Sequence, residues 1–259
     1  MSVVKRFRIT KIKNRKPLIS LNKLSLSFKK NHLILDNISL DISKGQIIGL
    51  LGPNGAGKSS LMNLITGALK PNFGNILING EDVTEHPIYI RTKKFKISFV
   101  PQLGGYFADL TTEDNLNAIG EILISDTKQR KLKIEELISK FELDAVRKVE
   151  AKFLSGGMKR RLVISMSLLG NPEILLMDEP LAALDPQTIQ MLQSIIIRLQ
   201  SEYNLTILIT DHQARDLLVV CDKALILSNS KIVAEGTPNQ LIQNEAAAKY
   251  YFGDNFKFK

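Results

Sequence analysis

The feature that most constrains this chain is an apolar run, Ile47–Leu51, leading directly into GPNGAGKSS at residues 52–60. Gly52, Gly57, Lys58 and Ser59 fit G-x-x-x-x-G-K-[ST], the pattern of a loop that cradles phosphates. Such a loop turns its backbone N–H groups inward. Gly52, Gly55 and Gly57 supply the backbone angles and the close approach this requires. Lys58 is placed to reach the β- and γ-phosphates, and the Ser59 hydroxyl to hold Mg²⁺. A helix starting near Lys58 offers its N-terminus to the anion. The preceding run reads as a buried strand, and Leu61, Leu64, Ile65 and Leu69 as one face of that helix. The candidate phosphate contacts are therefore Gly52, Pro53, Asn54, Gly55, Ala56, Gly57, Lys58, Ser59 and Ser60, with Mg²⁺ beside the phosphates.

Two further stretches carry chemistry. ILLMDEP at residues 174–180 is a buried strand ending in two carboxylates. Beside a phosphate loop, Asp178 can help hold Mg²⁺ through its water shell, and Glu179 can orient or deprotonate an attacking water. LSGGM at residues 154–158 puts a serine and two glycines at a helix start, where a hydroxyl and free N–H groups face an anion; a plain helix cap reads the same way.

Composition sets the outer bounds. With 259 residues, 44% of them hydrophobic, the chain can build one large α/β domain or two lobes. Its net charge of +9 is unevenly spread. Ten of the 35 Lys and Arg fall in the first 35 residues, which hold no Asp or Glu; the other 25 bases face all 26 acids. The high pI thus belongs to a basic arm at residues 1–20, suited to an anionic membrane surface or nucleic acid, or simply solvated. Cys221 stands alone, so no disulfide framework is expected and a reducing cytoplasm fits. No apolar run approaches the roughly 18 to 20 residues a membrane span needs, and no secretory signal is evident.

In chain order, residues 24–28 alternate as a half-buried strand does, and residues 31–43 read as two short strands around Asp36-Asn37. Strands are expected at 75–79 and 97–100, leaving the first hundred residues mostly β apart from the helix after the loop. Helical character follows from 111 to about 167, opening with TTED at 111–114 as a capping box. Strand and helix then alternate: 174–177, Pro186–Tyr203, Thr206–Thr210, 213–220, a hairpin around Asn229-Ser230, and a last helix at 239–250.

Taken together, these motifs resemble the ATP-binding subunits of ABC transporters. In the family's order stand an aromatic (Phe28), the phosphate loop, a glutamine after a strand (Gln102), LSGG, the strand ending in DE, ALDP (183–186) and a histidine after a strand (His212). The resemblance covers residues 21–259. It implies an α/β phosphate-loop NTPase core with an N-terminal antiparallel β part and an inserted α-helical subdomain at about 103–159. It also implies roles. Phe28 stacks on adenine. Gln102 contacts Mg²⁺ or the water, and with Ser59 and Asp178 makes up the metal set. Glu179, His212 and Gln102 form the catalytic group. Ser155, Gly156 and Gly157 touch the γ-phosphate held by a second copy, and Asp185 crosses the same seam. His32 and His86 match nothing. The expected state is a head-to-tail homodimer that hydrolyses ATP on the cytoplasmic face of the inner membrane and drives integral membrane permease subunits.

The C-terminal third resembles the ATP-binding subunits of lipopolysaccharide export systems, through TDH-x-x-R-D at 210–216 and the aromatic-Gly-acid ending at 250–256. Branched-chain amino-acid importer ATPases are the nearest confusable group, and soluble ABC ATPases acting on nucleic acid are the alternative class. The export resemblance implies a permease groove near Tyr106, Phe107, Leu110 and Asn115. Two departures stand out: Met158 in place of Glu or Gln, and SMS at 165–167 in place of A-R-A. Neither falls on a phosphate-binding position.

Overall fold

The computed structural model describes residues 16–29 and 32–253. Two sheets organise it. The first, antiparallel, comprises β1 (Ile19–Lys29), β2 (His32–Ile42), β4 (Phe73–Ile78) and β5 (Glu81–Asp82), in the order β2-β1-β4-β5. The second orders β10-β9-β3-β8-β7-β6: β3 (Ile47–Leu51), β6 (Ile97–Val100), β7 (Ile174–Asp178), β8 (Thr206–Thr210), β9 (Lys223–Ser228) and β10 (Lys231–Gly236). Five of these strands run parallel; β10 closes one edge as a hairpin with β9.

The sequence explains why the second sheet is parallel and central. IIGLL, ILLMD and TILIT are buried at every position, as strands covered on both faces must be. Their side chains alternate between two cores. Ile47, Leu51, Leu175, Met177, Ile207 and Ile209 face one; Ile48, Leu50, Ile174, Leu176 and Leu208 face the other. The first core is covered by α5 (Gly156–Ser167), α6 (Pro186–Tyr203) and α7 (Ala214–Leu218), and continues into α3 (Thr112–Leu123) and α4 (Thr127–Lys140). The second lies under α1 (Lys58–Thr66), α2 (Ile88–Phe95) and the antiparallel sheet. The chain closes with α8 (Pro238–Ile242), α9 (Glu245–Ala247) and a π-helical turn, Ala248–Phe252.

Several expectations change. Residues 32–42 form one strand, not two, because Asn37 takes a left-handed conformation (φ 53°) inside the ladder and its N–H is taken by Ser25 Oγ at 3.0 Å. A single Asn tolerates that geometry, so the anticipated turn becomes a register slip. The arm ends before residue 20: Leu18, Ile19 and Ser20 are buried, and Leu18 N–H bonds Ile42 O at 2.8 Å. Residues 1–15, and the ending beyond Gly253, lie outside the described residues. The last helix is three short pieces rather than one. The TTED cap is half made: Thr111 Oγ1 accepts from Asp114 N–H at 3.1 Å, but its hydroxyl also donates to the Asp114 carboxylate at 2.6 Å in place of the expected return bond.

Helix α2 has no clear apolar period in the sequence. Its inward residues include Arg91, which breaks the apolar pattern yet is wholly buried. The guanidinium donates to the carbonyls of Leu64 (2.6 Å) and Ile65 (3.0 Å) at the end of α1, and to Thr84 (3.0 Å) and His86 (2.9 Å). Burial lowers its pKa to about 10.

Removing methylenes from a filled sheet core leaves a cavity, so Leu208→Ala should lower the unfolding free energy by about 2–5 kcal/mol. Leu103→Ala, at a side chain 84% exposed, should change it by no more than about 0.5 kcal/mol. Urea titration followed by circular dichroism checks both.

Candidate active site

β3, β8, β7 and β6 lie side by side and parallel, so their carboxyl ends open on one edge, where ligands settle in such sheets. Each contributes a segment. β3 runs into the phosphate loop. Gly52 takes φ 154°, and a Cβ there would stand 2.2 Å from Leu227 O; at Gly57 (φ 100°) a Cβ would meet Leu35 and Ile34 at about 3 Å. Glycine is therefore required at both positions by backbone angle and by close approach. Lys58 is buried, and its ammonium donates to Gly52 O (2.8 Å) and Pro53 O (3.0 Å). Burial lowers its pKa, opposed by the charges of Glu179, Asp178 and Asp211.

β7 ends in the buried Asp178, which accepts a short hydrogen bond from Thr210 Oγ1 on β8. Glu179 follows at φ 47°, its N–H bonded to Thr210 O (3.1 Å) and Thr210 Oγ1 (3.0 Å). That left-handed turn aims its side chain at its neighbours. Gln102, after β6, donates Nε2–H to Glu179 Oε2 at 2.8 Å, and His212 Nδ1, after β8, stands 3.4 Å from the same oxygen. Asp211 is fully buried; burial pushes its carboxyl up, opposed by the Gln213 N–H.

A cavity of about 910 Å³ joins these parts. Asn54, Gly55, Gly57, Lys58, Ser59, Ser60, Gln102, Glu179 and His212 all line it. A cation, a hydroxyl, a carboxylate and a primary amide converging on glycine backbone suit a polyphosphate and a hard divalent ion. Among the described residues no group of three or more His, Cys, Asp or Glu could hold a metal unaided.

The remaining candidates lie elsewhere. Phe28 is exposed at the end of β1. Ser155 and Asp185 are exposed and act as helix caps: Ser155 Oγ accepts from Met158 N–H (3.3 Å), and Asp185 from Gln187 and Thr188 N–H (3.1 and 3.0 Å). A Cβ on Gly157 would meet Thr188 Cγ2 at 2.7 Å, so glycine lets the first turns of α5 and α6 touch. None of Ser155, Gly156, Gly157 and Asp185 lines the cavity. The cavity includes His32, which the motif reading set aside.

Residues 35–182 match the model of the family described as ABC transporter. The chain belongs to the ABC transporter family. As an ABC ATPase it is 37% identical to the lipopolysaccharide export system ATP-binding protein LptB of Haemophilus influenzae, over 93% of this chain and 99% of that one. It is 35% identical to the Escherichia coli K12 protein of the same name, over 88% and 94%. In structure it resembles an ATP-binding cassette of an ABC transporter in its ADP conformation, with TM-score 0.81 and 24% identity, over 93% of this chain and 100% of that one.

In this ABC cassette Arg160 carries no motif signal, and Asn115 sits elsewhere than expected. Arg160, on α5 just past LSGG, donates to Pro101 O (2.9 Å), Gln102 O (2.9 Å) and Glu179 O (3.5 Å), tying the signature helix to the glutamine segment; burial lowers its pKa. Its place in a basic run hid this. Asn115, expected at the groove, is instead buried. Its amide donates to the carbonyls of Phe107, Leu110 and Thr111, holding that loop from within. Neither departure lines the cavity. Met158 packs on the core, and the Ser165 and Ser167 hydroxyls bond carbonyls one turn back in α5.

Arg160→Met would strand the carbonyls of Pro101 and Gln102. It should lower stability by about 2 kcal/mol and speed amide hydrogen exchange around residue 102, while exchange in β8 stays protected. Mass-spectrometric exchange resolves the two regions.

Proposed function

We propose that this chain is the motor of a lipopolysaccharide exporter, hydrolysing ATP to drive separate permease subunits in the inner membrane from the cytoplasmic face. The observation that carries the reading is the near full-length likeness to the Haemophilus influenzae LptB protein. No helix among the described residues is long and apolar enough to cross a membrane, so the membrane path is assigned to partners.

Each site residue then has a task. Lys58 and the loop N–H groups bind the β- and γ-phosphates, with Asn54, Ser60 and their neighbours holding the triphosphate in place. Phe28 covers the adenine. Ser59, Gln102 and Asp178 are the residues that would hold Mg²⁺, which supplies charge neutralisation at the phosphates. Glu179 Oε2 takes the proton of the attacking water, and His212 holds the γ-phosphate. In the structure that oxygen is engaged by Gln102 Nε2 and faced by His212 Nδ1, so both must release Glu179 before it can act.

Ser155, Gly156, Gly157 and Asp185 stand outside their own chain's cavity, so they serve the cavity of a second copy in a head-to-tail homodimer. Residues at about 103–159 carry the motion outward. Permease contact falls near Tyr106, Phe107 and Leu110: Phe107 and Leu110 are exposed, Tyr106 packs partly on the core, and a neighbouring apolar cleft of about 230 Å³ includes Ile88, Phe99 and Leu123.

Glu179→Gln should bind ATP with unchanged affinity, dimerise and lose turnover by about 100-fold or more. Size-exclusion chromatography with ATP and a phosphate-release assay check this. A strictly monomeric ATP-bound variant, with or without its membrane partners, overturns the dimer reading. Co-purification in detergent with integral membrane proteins supports the export reading; salt-sensitive co-purification with nucleic acid refutes it.

A further inference from the structure

Asp211 has no part in the roles above, yet it occupies a costly position. It follows β8 directly and is fully buried. Its Oδ1 accepts from Gln213 N–H at 2.9 Å, which fixes the side chain, and the same oxygen stands 3.7 Å from His212 Nδ1. Its Oδ2 is buried without a hydrogen-bond partner. A carboxylate oxygen taken out of water and left unpaired is destabilising by a few kcal/mol, and such groups persist mainly where they do a job.

The surroundings say which job. His212 Nδ1 lies between two carboxylates that follow different strands, Glu179 after β7 at 3.4 Å and Asp211 after β8 at 3.7 Å. Neither distance is a closed hydrogen bond, so a turn of the ring selects between them. The other groups around this point do not compete for Nδ1. Gln102 Nε2 is spent on Glu179, Arg160 on the carbonyls of Pro101 and Gln102, and Lys58 on the loop; Asp178 receives Thr210 Oγ1. Tyr251 donates its hydroxyl to His212 O at 2.6 Å, fixing the backbone while leaving the ring free to turn.

We propose that Asp211 is a positioning residue for His212: it accepts Nδ1–H once Glu179 turns to the attacking water, which aims Nε2 at the γ-phosphate and supports the imidazolium whose Nε2–H donates to a phosphate oxygen. The proposal rests on the ATPase reading. A carboxylate behind a histidine fixes both the tautomer and the orientation of the ring. Glu179 cannot fill that place while it holds the proton of the water. Asp211 sits on the same segment as His212 and moves with it.

The test uses the full chain without nucleotide. In a Glu179→Gln background, which removes the competing carboxylate, ¹⁵N NMR of the three histidines reads the tautomer, with His212 assigned by its loss in His212→Gln. The expected result is an Nδ1-protonated ring that changes to the averaged pattern of a solvated imidazole on Asp211→Asn. Asp211→Ser keeps an acceptor for Gln213 N–H while deleting the carboxylate, and must give the same change. In the otherwise wild-type chain, Asp211→Asn should lower kcat by about 10- to 100-fold with KM for ATP within about twofold, and should add nothing to His212→Ala. An unchanged tautomer, or a loss of equal size on top of His212→Ala, overturns the proposal. Failure of the ATPase reading looks different: the wild-type chain then hydrolyses no ATP.

Discussion

The site depends on a buried ammonium. Lys58 is pulled out of water against the carbonyls of Gly52 and Pro53, in a region that also holds Asp178, Glu179 and Asp211. Three carboxylates at the ends of neighbouring strands would repel one another strongly in so dry a place. Lys58 and Arg160 provide the opposing charge. A triphosphate entering the cavity brings more negative charge and carbonyl-like oxygens, so it can replace what Lys58 now holds. The glycines are needed for the same reason: only a backbone with no Cβ lets the loop fold tightly enough to occupy the lysine in this way.

Much of this was legible in the residues. The phosphate loop, the acidic end of β7 and the histidine after β8 are local patterns, and parallel pairing of the strands that carry them brings them together. The central strands were legible because burial on both faces forces unbroken apolar runs. What escaped was long-range. Arg91 and Arg160 look like surface bases in sequence, and only the fold shows each spending its guanidinium on carbonyls from distant segments. Asn115 looks like part of a partner groove and is a buried clamp on the loop before it. Asn37 looks like a turn because its preference for left-handed geometry is the same whether the chain reverses or merely slips register.

Ser155 and Asp185 teach a related point. The sequence offers Ser155 as a helix cap or as a contact for another chain's phosphate without separating the two, and places Asp185 at the same seam. The structure shows both capping their own helices, yet it leaves them exposed. A capping side chain at an exposed helix start is held still and faces outward, which is the condition for a rigid recognition edge. The two readings are therefore compatible, because the local bond fixes the geometry a neighbour would meet.

Helix α1 joins the two ends of this picture. Its first residues face the anion cavity, and its last carbonyls, Leu64 and Ile65, are capped by the buried guanidinium of Arg91. A helix carries a partial positive charge at its start and a partial negative one at its finish. Arg91 holds a full cation against the negative pole, where water would otherwise screen it. The helix is thus a bar magnet's electrical counterpart with its far pole clamped, and a side chain that never meets the nucleotide helps set the potential in which the nucleotide sits.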